Sequence, residues 1–257
     1  MRLPGSRCLV IGGARRLGRE LALDLASAGA AVCVTSRTRD AAIDDGTAAL
    51  RRAGAAAAAV IVGDVSAPAS AGTLVAAAAA ALGGLDVLLF TASGPFVPRP
   101  PETVDETAWD ASFDTIAKGF FFAACAAREA FLATPAPAAR VGSAETGVVV
   151  AITDHLGLHP WAAFAAHGAA KAAQIHLVQS LALAWADDGV RVCGVAPGPV
   201  DLADDEHRAA TLRAAARVAG ERLVTPAQVA AIVRRCIEDE TMTGENVVVE
   251  AKSARES

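Results

Sequence analysis

A glycine-rich turn between an apolar strand and a helix constrains the fold of this chain most. The apolar run at residues 7–11 leads directly into Gly12-Gly13-Ala14-Arg15-Arg16-Leu17-Gly18, and a helical stretch follows as far as Ala28-Gly29. A second apolar strand covers residues 31–35. Glycines let a backbone approach a pyrophosphate, and a helix N-terminus supplies N–H groups and the positive end of a dipole. Strand, glycine turn, helix and strand in this order predict a dinucleotide-binding unit.

Strands and helices continue to alternate along the rest of the chain. Further strands are predicted at residues 56–62, 85–90, 147–152, 190–195 and 246–249, and helices at 69–82, 109–132, 167–188 and 226–237. This alternation predicts an α/β fold, a Rossmann-type doubly wound parallel sheet of about seven strands. We expect a single domain over residues 1–257, because open α/β sheets often reach this size and no long polar linker divides the chain. The cofactor half would end near residue 150, and the active-site and substrate half would cover residues 151–250.

Composition excludes several classes of partner. The net charge is −5 and no basic block is present, which argues against nucleic acid. No apolar run approaches the ~20 residues that a membrane span needs, and the N-terminus does not resemble a signal sequence. The five cysteines, an odd number without metal-type spacing, lie mostly in apolar runs. They indicate reduced core residues in a cytoplasmic protein.

The end of the second strand indicates which dinucleotide would bind. An NAD-binding chain is expected to carry an acid about 20 residues after the glycines, where it binds the ribose hydroxyls. Ser36 stands there, Arg37 follows it, and Arg15 is available from the glycine turn. Two guanidinium groups suit a 2′-phosphate, so NADP is favoured over NAD. The alternative is two solvated surface arginines.

The active-site half resembles the short-chain dehydrogenase/reductase family, whose signature is a serine after a strand and then Tyr-x-x-x-Lys. The segment His167-Gly-Ala-Ala-Lys171 keeps the lysine but has histidine at the tyrosine position, and Asp154 stands at the serine position. The chain contains no tyrosine at all. The resemblance implies catalytic roles for Asp154, His167 and Lys171, and it runs from Arg7 to Val249. It also implies that the segment at residues 201–221 is a substrate lid, and that the small-residue helix at 163–186 forms a homodimer or homotetramer face.

The same resemblance, together with the glycine turn, gives the expected cofactor residues. These are Gly12, Arg15, Arg16, Leu17, Gly18, Ser36, Arg37, Asp64, Val65, Thr91, Ala92, Ser93, Lys171, Pro197, Gly198 and Val200. In this family Asp64 would contact the adenine, although a carboxylate at that position could simply cap the next helix. Lys171 would bind the nicotinamide ribose.

Several family positions differ here. Ile11 and Arg16 replace a threonine and the middle glycine of the first turn, and Phe90 and Thr91 replace two asparagines. Ile116 stands where the family has the asparagine of a proton relay, and Leu202 stands where a threonine closes over the cofactor. The Arg15-Arg16 pair and Asp154 resemble pteridine reductase-like members, and the opening of the His167 helix resembles dienoyl-CoA reductase-like members.

Two interpretations of these differences remain open. The replacements at the two central positions are ionisable, which favours altered chemistry: an NADP(H)-dependent oxidoreductase that reduces a C=O, C=N or C=C bond of a small molecule. The alternatives are a non-redox cyclase or isomerase on the same fold, or a degenerate cofactor-binding protein. His167 would supply or relay a proton with Asp154, or it would only pack at the opening of its helix. A zinc site is disfavoured because His155 and His159 have no third ligand at suitable spacing.

Overall fold

A single parallel sheet organises the molecule. The computed structural model describes residues 1–39, 45–135, 145–202 and 223–250. Within these ranges seven strands pair in the order β3-β2-β1-β4-β5-β6-β7, and every pairing is parallel. They are β1 (Arg7–Ile11), β2 (Ala31–Ser36), β3 (Ala58–Val62), β4 (Val87–Phe90), β5 (Gly147–Ile152), β6 (Val190–Pro197) and β7 (Asn246–Val249). The predicted seven-stranded doubly wound sheet is confirmed. Its strand order reverses beside β1, which is where such sheets bind ligands.

Helices cover both faces of this sheet. In the described residues they are α1 (Arg16–Ser27), α2 (Gly46–Ala53), α3 (Pro68–Leu82), α4 (Glu106–Phe113), α5 (Gly119–Ala133), α6 (Ala165–Ala184) and α7 (Pro226–Glu238). The predicted helix from residue 109 to 132 is present, and its helical turns extend from Glu106 to Ala133. That segment begins earlier, because Asp105 accepts a hydrogen bond from the Ala108 N–H at 2.8 Å and caps α4. A π-helical stretch, Asp114–Lys118, then separates α4 from α5.

Alternate residues of the central strands enter two separate cores. In β4, Val87 and Leu89 pack on one face and Leu88 and Phe90 on the other. The first core lies under α1 and α7, and the second lies under α3, α5 and α6. Strands that are buried on both faces have continuous apolar sequences, which explains why these strands could be predicted from the sequence.

Two predicted segments lie partly or wholly outside the described residues. They are residues 203–221 of the expected substrate lid and the tail after residue 250. In the part of the chain that is described, no helix is both long and apolar enough to cross a bilayer.

Candidate active site

One cavity of about 700 Å³ lies at the carboxyl ends of the strands. Its lining contains all of the predicted cofactor residues from Gly12 to Val200 and the three candidate catalytic residues, Asp154, His167 and Lys171. The sheet brings these residues together because each follows the end of a parallel strand or opens the next helix. Which of them contact a cofactor or substrate stays a prediction.

The glycine turn is fixed by contacts with two neighbouring strands. The Gly12 N–H donates to Thr35 Oγ1 at 3.1 Å, and the Thr91 hydroxyl donates to the Ile11 carbonyl at 2.7 Å. Gly12 has a φ of +80°, and a Cβ there would lie 2.9 Å from the Ala92 backbone nitrogen. A Cβ at Gly18 would overlap Thr91 Oγ1 at 2.5 Å. Glycine is therefore required at both positions by the close approach of the turn to the end of β4.

Arg16 adopts a conformation that favours glycine. Its φ is +50°, the one positive value at a non-glycine residue in the described ranges. The resemblance predicted a replaced glycine at this position, and the left-handed backbone is one that glycine adopts readily. Left-handed backbone at an L-residue costs about 1–2 kcal/mol, and such strain is concentrated at functional sites.

The end of the cavity beside the glycine turn carries positive charge. Arg15, Arg16 and Arg37 are exposed and line the cavity. Ser36, at the end of β2, is buried and its hydroxyl donates to the Thr38 carbonyl at 3.0 Å. Since no carboxylate stands at the end of β2, this end of the cavity suits a phosphate better than a free hydroxyl pair.

Asp64 does not cap the following helix. Its Oδ1 accepts from the Ser66 N–H at 2.9 Å, whereas α3 begins at Pro68 with Ala67 as its N-cap. The interpretation of Asp64 as a helix cap is therefore wrong. The carboxylate closes a short turn and remains part of the cavity lining.

Lys171 lies under the active-site end of the cavity. Its Nζ donates to the Ile152 carbonyl at 2.8 Å and to Gln174 Oε1 at 3.1 Å. Burial lowers the pKa of Lys171 to about 8, and the charge of Asp154 opposes part of that shift. Although His167 lies one helical turn away, the ammonium is directed toward the end of β5 and Gln174.

His167 and Asp154 form an unusual pair. His167 Nε2 lies 3.6 Å from Asp154 Oδ2, a distance beyond a normal hydrogen bond. Neither ring nitrogen of this buried histidine has a hydrogen-bond partner within the described protein. Asp154 Oδ1 is already used, because it accepts from the Leu156 N–H at 2.8 Å. A buried polar group without a partner costs about 1–3 kcal/mol, so this imidazole is poised for a ligand or water.

An aromatic wall beside His167 was not predicted from the sequence. Phe96 and Trp161 line the cavity, and Phe164 stacks on Phe96 with ring centroids 4.3 Å apart. Phe96 also meets the His167 ring edge-to-face at 5.1 Å. Packing against Phe96 thus accounts for one side of the His167 ring. Neither ring nitrogen has a hydrogen-bond partner among the described residues. Only the clustering of aromatic residues on either side of the active-site segment could have signalled this wall.

His155 contacts the end of the last strand. Its Nε2 lies 3.1 Å from Glu250 Oε1, and its ring stacks on His159 at 4.3 Å. His155 lines the cavity, whereas His159 is exposed and is not part of the lining. Among the described residues, no group of three or more His, Cys, Asp and Glu side chains is arranged to hold a metal ion.

Two positions at which the resemblance predicted asparagines, one of them in a proton relay, are apolar and buried. Ile116, within the π-helical stretch, and Phe90 are fully buried, and Phe90 packs edge-to-face on Phe120 at 5.5 Å. Thr115 lines the cavity in place of Ile116. A proton path through residue 116 is therefore absent, since isoleucine neither donates nor accepts.

Residues 6–211 match the short chain dehydrogenase family. The chain belongs to this family. Among its relatives, cis-4-hydroxycyclohexanecarboxylate dehydrogenase of Sinomonas cyclohexanicum is 33% identical over 224 residues, which cover 86% of this chain and 85% of the relative. 3beta-hydroxysteroid dehydrogenase 1 of Eggerthella lenta is 29% identical over 218 residues, or 82% of this chain and 79% of the relative. Both of these relatives are named as dehydrogenases, which are oxidoreductases.

A solved structure of the short chain dehydrogenase family superposes on almost the whole chain. A short chain dehydrogenase from Burkholderia cenocepacia, solved in complex with NADP, has a TM-score of 0.83 and 28% identity. The match covers 97% of this chain and 98% of that one. The family fold is therefore kept over almost the whole chain, although fewer than a third of the residues are identical.

Proposed function

We propose that this protein is an NADP(H)-dependent oxidoreductase that reduces a C=O, C=N or C=C bond of a small molecule with Asp154, His167 and Lys171. One observation carries the proposal. A single cavity joins the glycine turn and its arginines to a buried imidazole whose two nitrogens have no hydrogen-bond partner among the described residues. A cofactor at one end would therefore bring its reacting ring to the unpaired group at the other.

The residues at the glycine end fit a phosphorylated dinucleotide. The N-cap residue of α1 makes no side-chain cap hydrogen bond, which favours an anion at the first turn. Arg15 and Arg37 suit a 2′-phosphate, and the Burkholderia cenocepacia relative was solved with NADP. Lys171, Thr91 to Ser93 and Pro197 to Val200 would hold the nicotinamide riboside. The bound cofactor would supply the hydride.

Asp154 and His167 would handle the proton in this scheme. An acid or base must lie within hydrogen-bond reach of the atom that it serves, and both side chains line the active-site end of the cavity. Asp154 Oδ2 lies 3.6 Å from His167 Nε2, so the two groups stand side by side where a proton would be handled. Lys171 would hold ribose hydroxyls rather than donate the proton, because its Nζ is directed at Ile152 and Gln174.

A degenerate binding protein is disfavoured by His167 itself. A protein without catalytic function would gain nothing from a buried imidazole that has no partner among the described residues, since an apolar side chain there would avoid the desolvation cost. A cyclase or isomerase that uses the same cavity is the stronger alternative, and it would turn over without consuming NADPH.

A screen of carbonyl, pterin and enone compounds for substrate-dependent loss of NADPH absorbance tests the proposal. We expect consumption with at least one class and a reduction in turnover of about 100-fold or more in His167→Ala. Full activity of His167→Ala on the best compound would assign His167 to packing alone. We also propose a homodimer or homotetramer, which light scattering of the purified protein tests directly.

A further inference from the structure

The active-site end of the cavity carries a carboxylate and aromatic rings. Of the charged side chains that line the cavity within the described ranges, the two carboxylates are Asp64 at the glycine end and Asp154 beside His167. Asp154 Oδ1 accepts from the Leu156 N–H, which leaves Oδ2 turned toward the histidine. The Lys171 ammonium does not neutralise this oxygen by contact, because it donates to Ile152 and Gln174.

The aromatic rings form a wall of defined geometry. Phe96 is stacked on Phe164 with an interplanar angle of 18°, and Trp161 meets Phe164 at 6.0 Å. Phe96 and Trp161 both line the cavity. Aromatic faces attract flat rings by stacking and attract cations through their quadrupole, the latter by about 0.5–2 kcal/mol.

We propose that the substrate is a flat cyclic iminium, a protonated C=N bond whose N–H donates to Asp154 Oδ2 while its ring lies on the wall of Phe96 and Trp161. This rests on the proposed function and selects one of its three bond types. A carbonyl oxygen beside Oδ2 would meet a like partial charge unless a proton lay between them. The iminium meets the opposite charge and supplies the missing hydrogen bond.

The chemistry of an iminium explains the loss of the family's tyrosine. The carbon of the C=N bond receives the hydride and forms a C–H bond, and the π pair becomes the lone pair of a neutral amine. NADPH is left as NADP⁺, so the positive charge moves from substrate to cofactor and the hydride step takes up no proton. The proton that Asp154 and His167 would handle is then the one already on the nitrogen, which makes the imine an iminium. A ketone would instead become an alkoxide that needs a proton at once. Where the family has a tyrosine hydroxyl, this chain has His167.

Binding of a charged and a neutral ring of the same shape tests the substrate class without turnover. The probes are protonated tetrahydroisoquinoline and 2-tetralol, titrated by calorimetry into the protein saturated with NADPH, which can oxidise neither. We expect the ammonium to bind at least about tenfold more tightly, a difference of about 1.4 kcal/mol. Equal affinity, or tighter binding of 2-tetralol, would overturn the proposal.

Asp154→Asn shows whether the preference arises at this carboxylate. The amide oxygen can still accept from the Leu156 N–H, so the turn after β5 should persist. The preference for the ammonium should vanish in Asp154→Asn and persist in Asp187→Asn, which removes an exposed carboxylate outside the cavity lining. A preference unchanged in Asp154→Asn would refute the role of Oδ2, and Phe96→Leu should weaken both probes.

A paired activity assay separates this inference from the proposed function. Wild-type protein is given NADPH with either 3,4-dihydroisoquinoline in its protonated form or 2-tetralone. Reduction of the iminium with the higher kcat/KM supports the inference. Faster reduction of the ketone overturns it and leaves the oxidoreductase assignment standing. Charge-selective binding without reduction of either compound supports the cation site and contradicts the proposed function.

Discussion

At the scale of single residues, Arg16 has a backbone conformation that its residue type does not favour. The glycine turn has the shape that a dinucleotide unit requires, yet an arginine occupies a left-handed position within it. The sequence identified Arg16 as a replacement for a family glycine, but it could not show that the backbone is left-handed. Such a residue persists where its side chain has a function that offsets the strain.

Arg16→Gly measures that strain directly. Relief of the left-handed conformation gains about 1–2 kcal/mol and the added chain entropy of glycine costs about 0.5–1 kcal/mol, so the free energy of unfolding should rise slightly. Arg19→Gly, at an ordinary exposed position of α1, should lower it by about 1 kcal/mol. Urea unfolding of both variants makes the comparison, and equal losses would show that residue 16 is unstrained. Weaker NADPH binding by Arg16→Gly would account for the arginine.

Lys171 should make stability depend on pH in an uncommon direction. Its pKa falls from 10.5 in the unfolded chain to about 8 in the native protein. Between these values the unfolded state binds the extra proton, so stability rises with pH through this window and the cost of the buried charge is complete below about pH 8. Relative to Lys171→Met, the wild-type protein should gain about 2 kcal/mol from pH 8 to pH 10.

Urea unfolding of wild type and Lys171→Met across this range checks the prediction, because other titrating groups cancel in the difference. Parallel stability curves would show that the lysine titrates alike in both states. The sequence placed Lys171 near the cofactor, but it could not reveal the Ile152 carbonyl and Gln174 as the groups that hold its ammonium.

At the scale of elements, Arg191 connects the sheet to the last helix. This buried residue of β6 donates to the carbonyls of Cys236 and Ile237 near the end of α7, at 2.6 and 2.7 Å, and to the Met242 carbonyl at 2.9 Å. It also binds Glu145 through Nε at 2.8 Å. Carbonyls at a helix end lack partners within the helix, so this guanidinium satisfies them.

Arg191→Leu should therefore destabilise the protein strongly. Removing one partner of a buried ion pair costs about 3–5 kcal/mol. Glu145 would keep its contact with the Met1 ammonium at 2.7 Å, whereas the carbonyls of α7 would lose the guanidinium that donates to them. Arg235→Leu, which removes an exposed arginine 3.7 Å from Asp239, should change stability by less than about 1 kcal/mol. Thermal and urea unfolding of both variants provide the comparison, and similar small losses would contradict the role of Arg191.

Elements could be predicted from the sequence mainly where a short local pattern causes them. Strands buried on both faces and the glycine turn are visible as short patterns, and they were predicted. The cap at Asp105 was missed although its pattern is local, and the π-helical stretch around Ile116 moved the helix boundaries further. Arg191 and the wall of Phe96, Trp161 and Phe164 depend on contacts between distant parts of the chain, which no single window contains.

At the scale of the whole molecule, the two ends of the cavity carry different chemical groups. Arginines surround the glycine end, while Asp154, His167 and aromatic rings form the other. The fold is that of the short chain dehydrogenase family, and the chain contains no tyrosine. This arrangement is that expected of a phosphorylated cofactor that delivers hydride to a substrate held by an acid and an imidazole.

Isotope transfer tests this account most directly. The protein is incubated with its best substrate and NADPH deuterated on the transferring face of the nicotinamide C4, and the product is analysed by mass spectrometry. The account predicts one deuterium in each product molecule and one NADPH consumed per turnover, with His167→Ala slower by about 100-fold or more but equally labelled. Product that carries no deuterium under either facial labelling, formed while NADPH stays intact, would show that this cavity performs non-redox chemistry.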